Sequence, residues 1–349
     1  MKVKDRLFLK YLHWQTRPSV IQKYLKDKKI KRVHSIQQVD RRSVQVGAAQ
    51  LKLELLQDPR EYAGVMHRYV KTAAESGVQL LVFPEYNSLQ LLGLVPGIES
   101  LASKIDGDSS DASTSITDLF RLLAPAFNRV AYTTFSCLAR ESGLYLMAGS
   151  FLTPEEGGVV NRALLFDPGG MVVGVQDKVH LMPLEHEWKL TPGSSFQVFP
   201  TKIGRLAMAV CMDATYFETF RILADRGAQI VMVPTADPQQ YNIWLALRGI
   251  WPRVQESTVY GIKSAMVGKL FGMTFTGRSG VFAPLGLTPK RDGVLAEAER
   301  FDCETLVTAG LDLEALDALR NNHPYLGDKN PRLIKRYIPY IYSASLPEA

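Results

Sequence analysis

An order of strand, amphipathic helix, buried strand, helix and buried strand occurs twice along this chain, and that order limits what it can fold into. In the first half SVQVGAAQL, from Ser43, reads as a short strand, and DPREYAGVMHRYVKTAAESG as an amphipathic helix closing at Gly77. VQLLVFPEY follows as a buried strand, because a short apolar run bounded by turn signals fits one. A polar stretch from Pro96 to about Thr117 reads as a surface loop, then a second helix is expected from about Leu119 to Glu141, then the strand GLYLMAGSF. VVNRALLFDPGGMVVGVQDKVHL reads as two strands turning at Pro168-Gly169-Gly170. The order then recurs. FQVFPTKIGRLAMAVCMD gives two strands about a turn near Gly204, TYFETFRILADRGA a helix ending at Gly227, and QIVMVPTA a buried strand. A helix over roughly Tyr241 to Val259, disturbed by Pro252, leads to the strand GIKSAMVG. Alternation of this kind predicts sheets covered by helices, and two such halves can pack sheet on sheet.

Composition removes several classes. With 46% hydrophobic and 22% charged residues the chain has apolar surface enough to fold. No apolar run approaches the ~18–20 residues of a membrane span. Three cysteines do not make a disulfide framework. The net charge of +6 is uneven: residues 1–43 carry 13 Lys/Arg against 3 Asp, and the remainder 28 Lys/Arg against 32 Asp/Glu. A basic N-terminal arm (1–43) therefore precedes a mildly acidic body (44–320) and a C-terminal tail (321–349). The arm's apolar residues Leu7, Phe8, Tyr11, Leu12 and Trp14, then Val20, Ile21, Tyr24 and Leu25, recur at helical spacing on either side of Pro18. A helical arm packed on its own body or on a partner subunit is expected. Attraction to anionic lipid and contact with nucleic acid are the alternatives that its charge raises. No secretory signal pattern is present, so a reducing cytoplasm is the expected location.

Three strand ends carry reactive groups. Glu85 leaves the apolar run LLVFPEY, where desolvation raises a carboxyl pKa and suits it to general-base work; a helix cap or an arginine partner would account for it equally. Lys178 follows the strand VVGVQD, with Glu185 and Glu187 close behind, and an ammonium there can stabilise an oxyanion or simply face solvent. Cys211 ends RLAMAVC before an expected helix, whose free N–H groups would lower the thiol pKa. Cys137 and Cys303 read as structural. His180 and His186 lack metal-ligand spacing, and GRSG around Ser279 lacks a nucleophile elbow. No metal or cofactor is expected.

Together FPEY, DKVHLMPLE and AVCMDATYFE resemble the nitrilase (carbon–nitrogen hydrolase) superfamily, whose members carry Glu, Lys and Cys in that chain order, each after a strand. Asp213, Glu218 and Arg221 fit the segment after the Cys. RVQESTVYG retains Arg253 and Glu256 of a further motif, with Ser257 where Asn is usual. FTGRSGVFAPLG matches at Gly277, Ser279, Pro284 and Gly286, and LVTAGLDLEALDALR resembles the closing strand and helix. The resemblance implies a four-layer α-β-β-α sandwich and homodimers or larger homo-oligomers. It makes Cys211 the nucleophile, Glu85 the proton carrier, and Lys178 with the Met212 backbone N–H the oxyanion donors. Glu185 becomes the supporting glutamate, with Glu187 as fallback. Tyr86, Tyr216, Pro234, Thr235 and Ala236 would shape the substrate site. Met212-Asp213 after the Cys, where nitrilases usually have Trp-Glu, favours a small amide over a nitrile and leaves carbamoyl-amides open, and a non-catalytic scaffold with this fold is the further alternative. A phosphate-binding loop and spanning helices, needed by other branches, are missing from the sequence pattern.

Overall fold

The computed structural model describes residues 3–32, 39–98, 112–322 and 330–343. Helices α1 (Val3–Gln15) and α2 (Pro18–Lys26) form the arm. Then come β1 (Val44–Leu53), α3 (Pro59–Glu75), β2 (Leu80–Val82), α4 (Ala112–Ser142), β3 (Tyr145–Glu155), β4 (Gly158–Phe166) and β5 (Val172–Asp177). The second half holds α5 (Pro183–Glu187), β6 (Val198–Thr201), β7 (Gly204–Met208), α6 (Phe217–Asp225), β8 (Ile230–Thr235), α7 (Ile243–Ala246), α8 (Ile250–Ser257) and β9 (Tyr260–Leu270). It closes with β10 (Met273–Phe275), β11 (Gly280–Phe282), β12 (Val294–Glu297), β13 (Thr305–Leu311), α9 (Leu313–Asn322) and α10 (Pro331–Ser343).

The two halves build matching sheets. One runs β13-β1-β2-β3-β4-β5, with β1, β2 and β3 parallel; the other runs β6-β7-β8-β9-β11-β12, with β7, β8 and β9 parallel. They join where the end of β1 pairs with the end of β9, Leu51 opposite Met266. Strand alternation places the layers. Leu80 and Val82 of β2 and Leu206 and Met208 of β7 meet between the sheets, together with Ile230, Met232 and Ile262. The intervening Leu81 and Phe83 face α3 and α4, and Ala207, Val231 and Val233 face α6 and α8. This is the expected α-β-β-α sandwich.

Local chemistry explains the elements. Asp58 caps α3 by accepting the Arg60 N–H at 2.7 Å, Pro59 opens it, and Tyr62, Met66, Tyr69, Val70 and Ala73 form its buried stripe. The arm is docked: Leu12, Ile21, Leu25 and Ile30 are buried in the same cluster as Met66 and Phe127. Two expectations need correction. The helix expected over Tyr241–Val259 is two, α7 and α8, broken around Gly249, and Pro252 lies in the first turn of α8, where its missing N–H costs nothing. The helix expected from Leu119 starts at Ala112, within polar residues that favour caps and turns when read alone. Of the loop expected from Pro96 to Thr117, residues 99–111 lie outside the described residues.

Candidate active site

Three strand ends converge. Glu85 lies just past β2, where Gly149 of β3 passes so close that a methyl group on it would come within 1.9 Å of the Pro84 carbonyl oxygen. Gly149 also holds φ at +80°, so glycine is required twice over. Tyr86, next in chain, is itself left-handed at φ +55°, and its N–H donates to Ser150 Oγ. Lys178 follows β5 and gives its backbone N–H to the Asn161 carbonyl. Cys211 follows β7 at φ +48°, opening a short 3-10 helix, Cys211–Thr215.

Glu85 is fully buried, and both of its carboxylate oxygens accept hydrogen bonds. Its Oε1 accepts from Lys178 Nζ at 2.9 Å and from Asn161 Nδ2 at 2.8 Å, and its Oε2 accepts the Ala236 N–H at 2.9 Å. Lys178 Nζ also meets Glu185 Oε2 at 2.7 Å, with both side chains buried. Glu185 in turn accepts from the Tyr86 hydroxyl, from Asn161 Nδ2 at 3.1 Å and from the Met182 N–H at 2.7 Å. One ammonium is thus held between two carboxylates, each oriented by further donors. Glu187 is exposed, so the geometry selects Glu185 as the partner of Lys178.

These contacts set the proton affinities. Burial raises the Glu85 pKa above the ordinary carboxylate range; Lys178 opposes this and Glu185 adds to it. Burial alone would lower Lys178, but Glu85, Cys211 and Glu185 outweigh it and hold the ammonium charged. The Cys211 thiol is pushed well up by burial and then by Glu85. This reverses the expectation of a thiol depressed at a helix start: a five-residue 3-10 turn supplies little dipole, and desolvation beside a carboxylate dominates.

Asp213 ties the loops together. Fully buried, it accepts N–H bonds from His180 at 2.7 Å, Val179 at 3.2 Å and Val210 at 3.0 Å, so one carboxylate spans the segments carrying Lys178 and Cys211. His180 also contacts Asp213 through Nδ1 at 2.9 Å and stacks on Tyr216 at 4.3 Å. Ser279 bonds to Ala49 O and to the Ala265 N–H, joining β11 to its neighbours.

Cys211 and Met212 line a cavity of about 140 Å³ with Thr235, Asp237, Arg248 and Lys263. Of the five residues expected to face substrate, Thr235 alone lines this cavity. Tyr86 is buried behind it on Glu185, Ala236 contributes its N–H to Glu85, Pro234 stays within β8, and Tyr216 is 40% exposed on His180. Trp244 is 74% exposed, and Trp251 donates to the Asp292 carbonyl. Asn161, Asp237 and Lys263 were not singled out by the sequence reading. Only Lys263 carried a local signal, a cation within an apolar strand.

A four-layer sandwich with a thiol, an ammonium and two carboxylates gathered at its strand ends defines the class, an α/β protein of nitrilase-type fold. The chain belongs to the carbon-nitrogen hydrolase family, whose model matches residues 45–321. It is similar to the Bacillus subtilis protein named probable hydrolase YhcX, 29% identical over 80% of this chain and 52% of that one, so the chain spans about half of that relative's length. It is also similar to omega-amidase NIT2-B of Xenopus laevis, 26% identical over 74% of this chain and 85% of the relative. Among solved structures, an amidase from Nesterenkonia sp. shares the fold at TM-score 0.61 and 23% identity, covering 86% of this chain and 98% of that one. Among the described residues, no helix is long and apolar enough to cross a membrane.

Proposed function

We propose that this protein hydrolyses a non-peptide carbon–nitrogen bond of a small amide through a Cys211 thioester, releasing ammonia or an amine. The observation that carries this reading is the buried Glu85–Lys178 pair beside a thiol at the wall of a small cavity. Relatives named amidases and omega-amidases support an amide substrate. The thiol is neutral at rest, so its proton passes to Glu85 as sulfur bonds to the carbonyl carbon and the electron pair moves to oxygen. Lys178 and the Met212 N–H stabilise that oxyanion. Its collapse breaks the C–N bond, Glu85 delivers the proton to the departing nitrogen, and the thioester remains. Glu85 then takes a proton from water as it attacks, and returns it to sulfur when the C–S bond breaks. Glu185 positions Lys178.

The test is ammonia release across a panel of amides, nitriles and carbamoyl-amides, with intact mass spectrometry of the unaltered protein quenched in acid during turnover. An acyl adduct on Cys211, absent in Cys211→Ala, is expected from amides; no adduct and no ammonia from any member would overturn the reading. A homodimer or larger homo-oligomer belongs to the same proposal. Exposed apolar residues of the second half, Phe217, Ile222, Trp244 and Leu245, support it, and sedimentation of the full chain tests it. Three free cysteines suit a reducing, cytoplasmic setting. Residues 1–43 and 321–349 are additions to the hydrolase unit 44–320 in this reading.

A further inference from the structure

Docking the arm uses one face of α1 and leaves a second apolar face outside. Leu12 is buried in the cluster that holds Met66 and Phe127, and His13 meets the Arg129 guanidinium of α4 at 3.2 Å. The next helix, α2, is held in the same way: Ile21 and Leu25 are buried, and the Tyr24 hydroxyl lies against Gly64 of α3. A helix fixed to its body by one stripe ordinarily turns polar residues outward. In α1 it does not. Leu7, Tyr11 and Trp14 stand at i, i+4 and i+7, on the side away from Leu12, and are 61%, 57% and 55% exposed. Tyr11 and Trp14 stack with their ring centroids 6.1 Å apart, so the two rings form one outward surface.

Cations surround this stripe. Lys10 lies one turn from both Leu7 and Trp14, Arg6 lies one turn before Lys10, and both are exposed. On α2 the exposed side carries Lys23 and Lys26, one turn apart and away from Ile21. Body arginines such as Arg60 and Arg162 pair with carboxylates, whereas among the described residues Arg6, Lys10, Lys23 and Lys26 form no ion pair within 4.0 Å. With 13 Lys/Arg against 3 Asp in residues 1–43, the arm cannot neutralise itself.

The occupant of such a face has to supply negative charge and an apolar layer together. A second copy would set one strongly basic arm against another. A nucleic acid would supply phosphates, and stacking for the rings, but nothing for Leu7 to enter. The surface of an anionic bilayer supplies everything at once: headgroup phosphates for the cations, the interfacial zone that Trp and Tyr favour, and acyl chains for a leucine. We propose that the arm holds this protein on the surface of an anionic lipid bilayer, with α1 lying flat in the interface through Leu7, Tyr11 and Trp14 and with Lys10 and the arm's other free cations drawing it to the headgroups. Leu12 and Ile21 face the body throughout, so the arm binds lipid without leaving α3 and α4. Neither signal suffices alone, because three apolar side chains are a small anchor and exposed cations are screened by salt.

Co-sedimentation of the full chain with vesicles makes the test. Phosphatidylcholine vesicles containing about 30% phosphatidylglycerol should bind the protein at ~0.1 M salt, and pure phosphatidylcholine vesicles should bind it about tenfold more weakly or less. Lys10→Gln should weaken binding to the anionic vesicles by about fivefold, and ~0.5 M salt should weaken it further. Joint replacement Leu7→Gln, Tyr11→Gln and Trp14→Gln, with glutamine a good helix former, should weaken it by about tenfold or more. The thermal melt should not move, since these three side chains are exposed; if the triple variant does not fold, Lys10→Gln and the salt series decide. No binding to either vesicle, equal binding to both, or anionic binding that these variants leave intact would overturn the proposal. A single-stranded oligonucleotide that binds more tightly than the anionic vesicles and is lost in the triple variant would assign the face to nucleic acid. An oligomer that the triple variant dissociates would assign it to a second copy, and either result overturns the proposal.

Discussion

Replacing Glu185 by Gln tests the electrostatics of the site most directly. Glu85 Oε1 and Glu185 Oε2 share Lys178 Nζ at 2.9 and 2.7 Å, so each carboxylate feels the other's charge. Two like charges roughly 5 Å apart at an effective dielectric of ~20 repel by about 3 kcal/mol, or about two pH units. Lys178 lies against both and offsets part of this, leaving an expected effect of about one pH unit. Glu185 raises the Glu85 pKa. Removing its charge therefore lowers that pKa, and Glu85 remains a base to more acidic pH. The acid limb of kcat/KM for an amide substrate should move down by about one pH unit in Glu185→Gln, the free-enzyme profile being the one that reports Glu85. The amide NH2 of Gln would also face either both the Met182 N–H and Lys178, in the place of Oε2, or the Asn161 NH2, in the place of Oε1, costing about 1–3 kcal/mol of stability, which a thermal melt records. An acid limb that stays in place, or moves upward, in a folded and active variant would refute both the coupling and the assignment of Glu85 as base.

Three other outcomes follow from buried groups. Asp213→Asn loses acceptor capacity for three backbone N–H bonds and turns an NH2 toward at least one donor, so urea unfolding should show a loss of about 2–4 kcal/mol, and a loss under about 0.5 kcal/mol would count against the clamp. Alkylation of Cys211 by iodoacetamide should lag free cysteine at neutral pH and rise only beyond the ordinary thiol range; Glu85→Gln should move that profile down, since Glu85 raises the thiol pKa, and a wild-type profile at or below free cysteine would contradict the burial argument. Ile21→Ala, at a fully buried arm position, should cost about 2–4 kcal/mol in denaturation of the full chain, whereas an undocked arm predicts almost none.

The architecture was legible because its cause is local. Alternation in β2 and β7 separates the inner core from the helix-facing sides residue by residue, and that period can be read without a structure. Breaks inside elements were less legible. The Tyr241–Val259 stretch carries one helical pattern, yet Gly249 divides it, and Pro252 is harmless because it falls in a first turn whose position only the cap reveals. The reach of α4 back to Ala112 is set by contacts far away in sequence, such as Thr117 donating to the Trp188 carbonyl.

Within the site, the strand-end positions of Glu85, Lys178 and Cys211 could be read from the chain, while the groups that set their chemistry could not. Asn161 acts through Glu85 and Glu185, and Asp213 through Val179 and His180, all pairings across long stretches of sequence with no spacing signature. The thiol shows how a sound local rule loses to its surroundings: a strand-to-turn junction does offer N–H groups, but a short 3-10 helix is outweighed by burial next to a carboxylate. The same reasoning redirects attention within the charge distribution. The +10 arm dominates the net charge, yet it covers α3 and α4 with Leu12, Ile21 and Leu25. One lysine in GIKSAMVG alters no total worth noticing. Placed on the helix-facing side of β9, it lines the cavity in which the thiol must work.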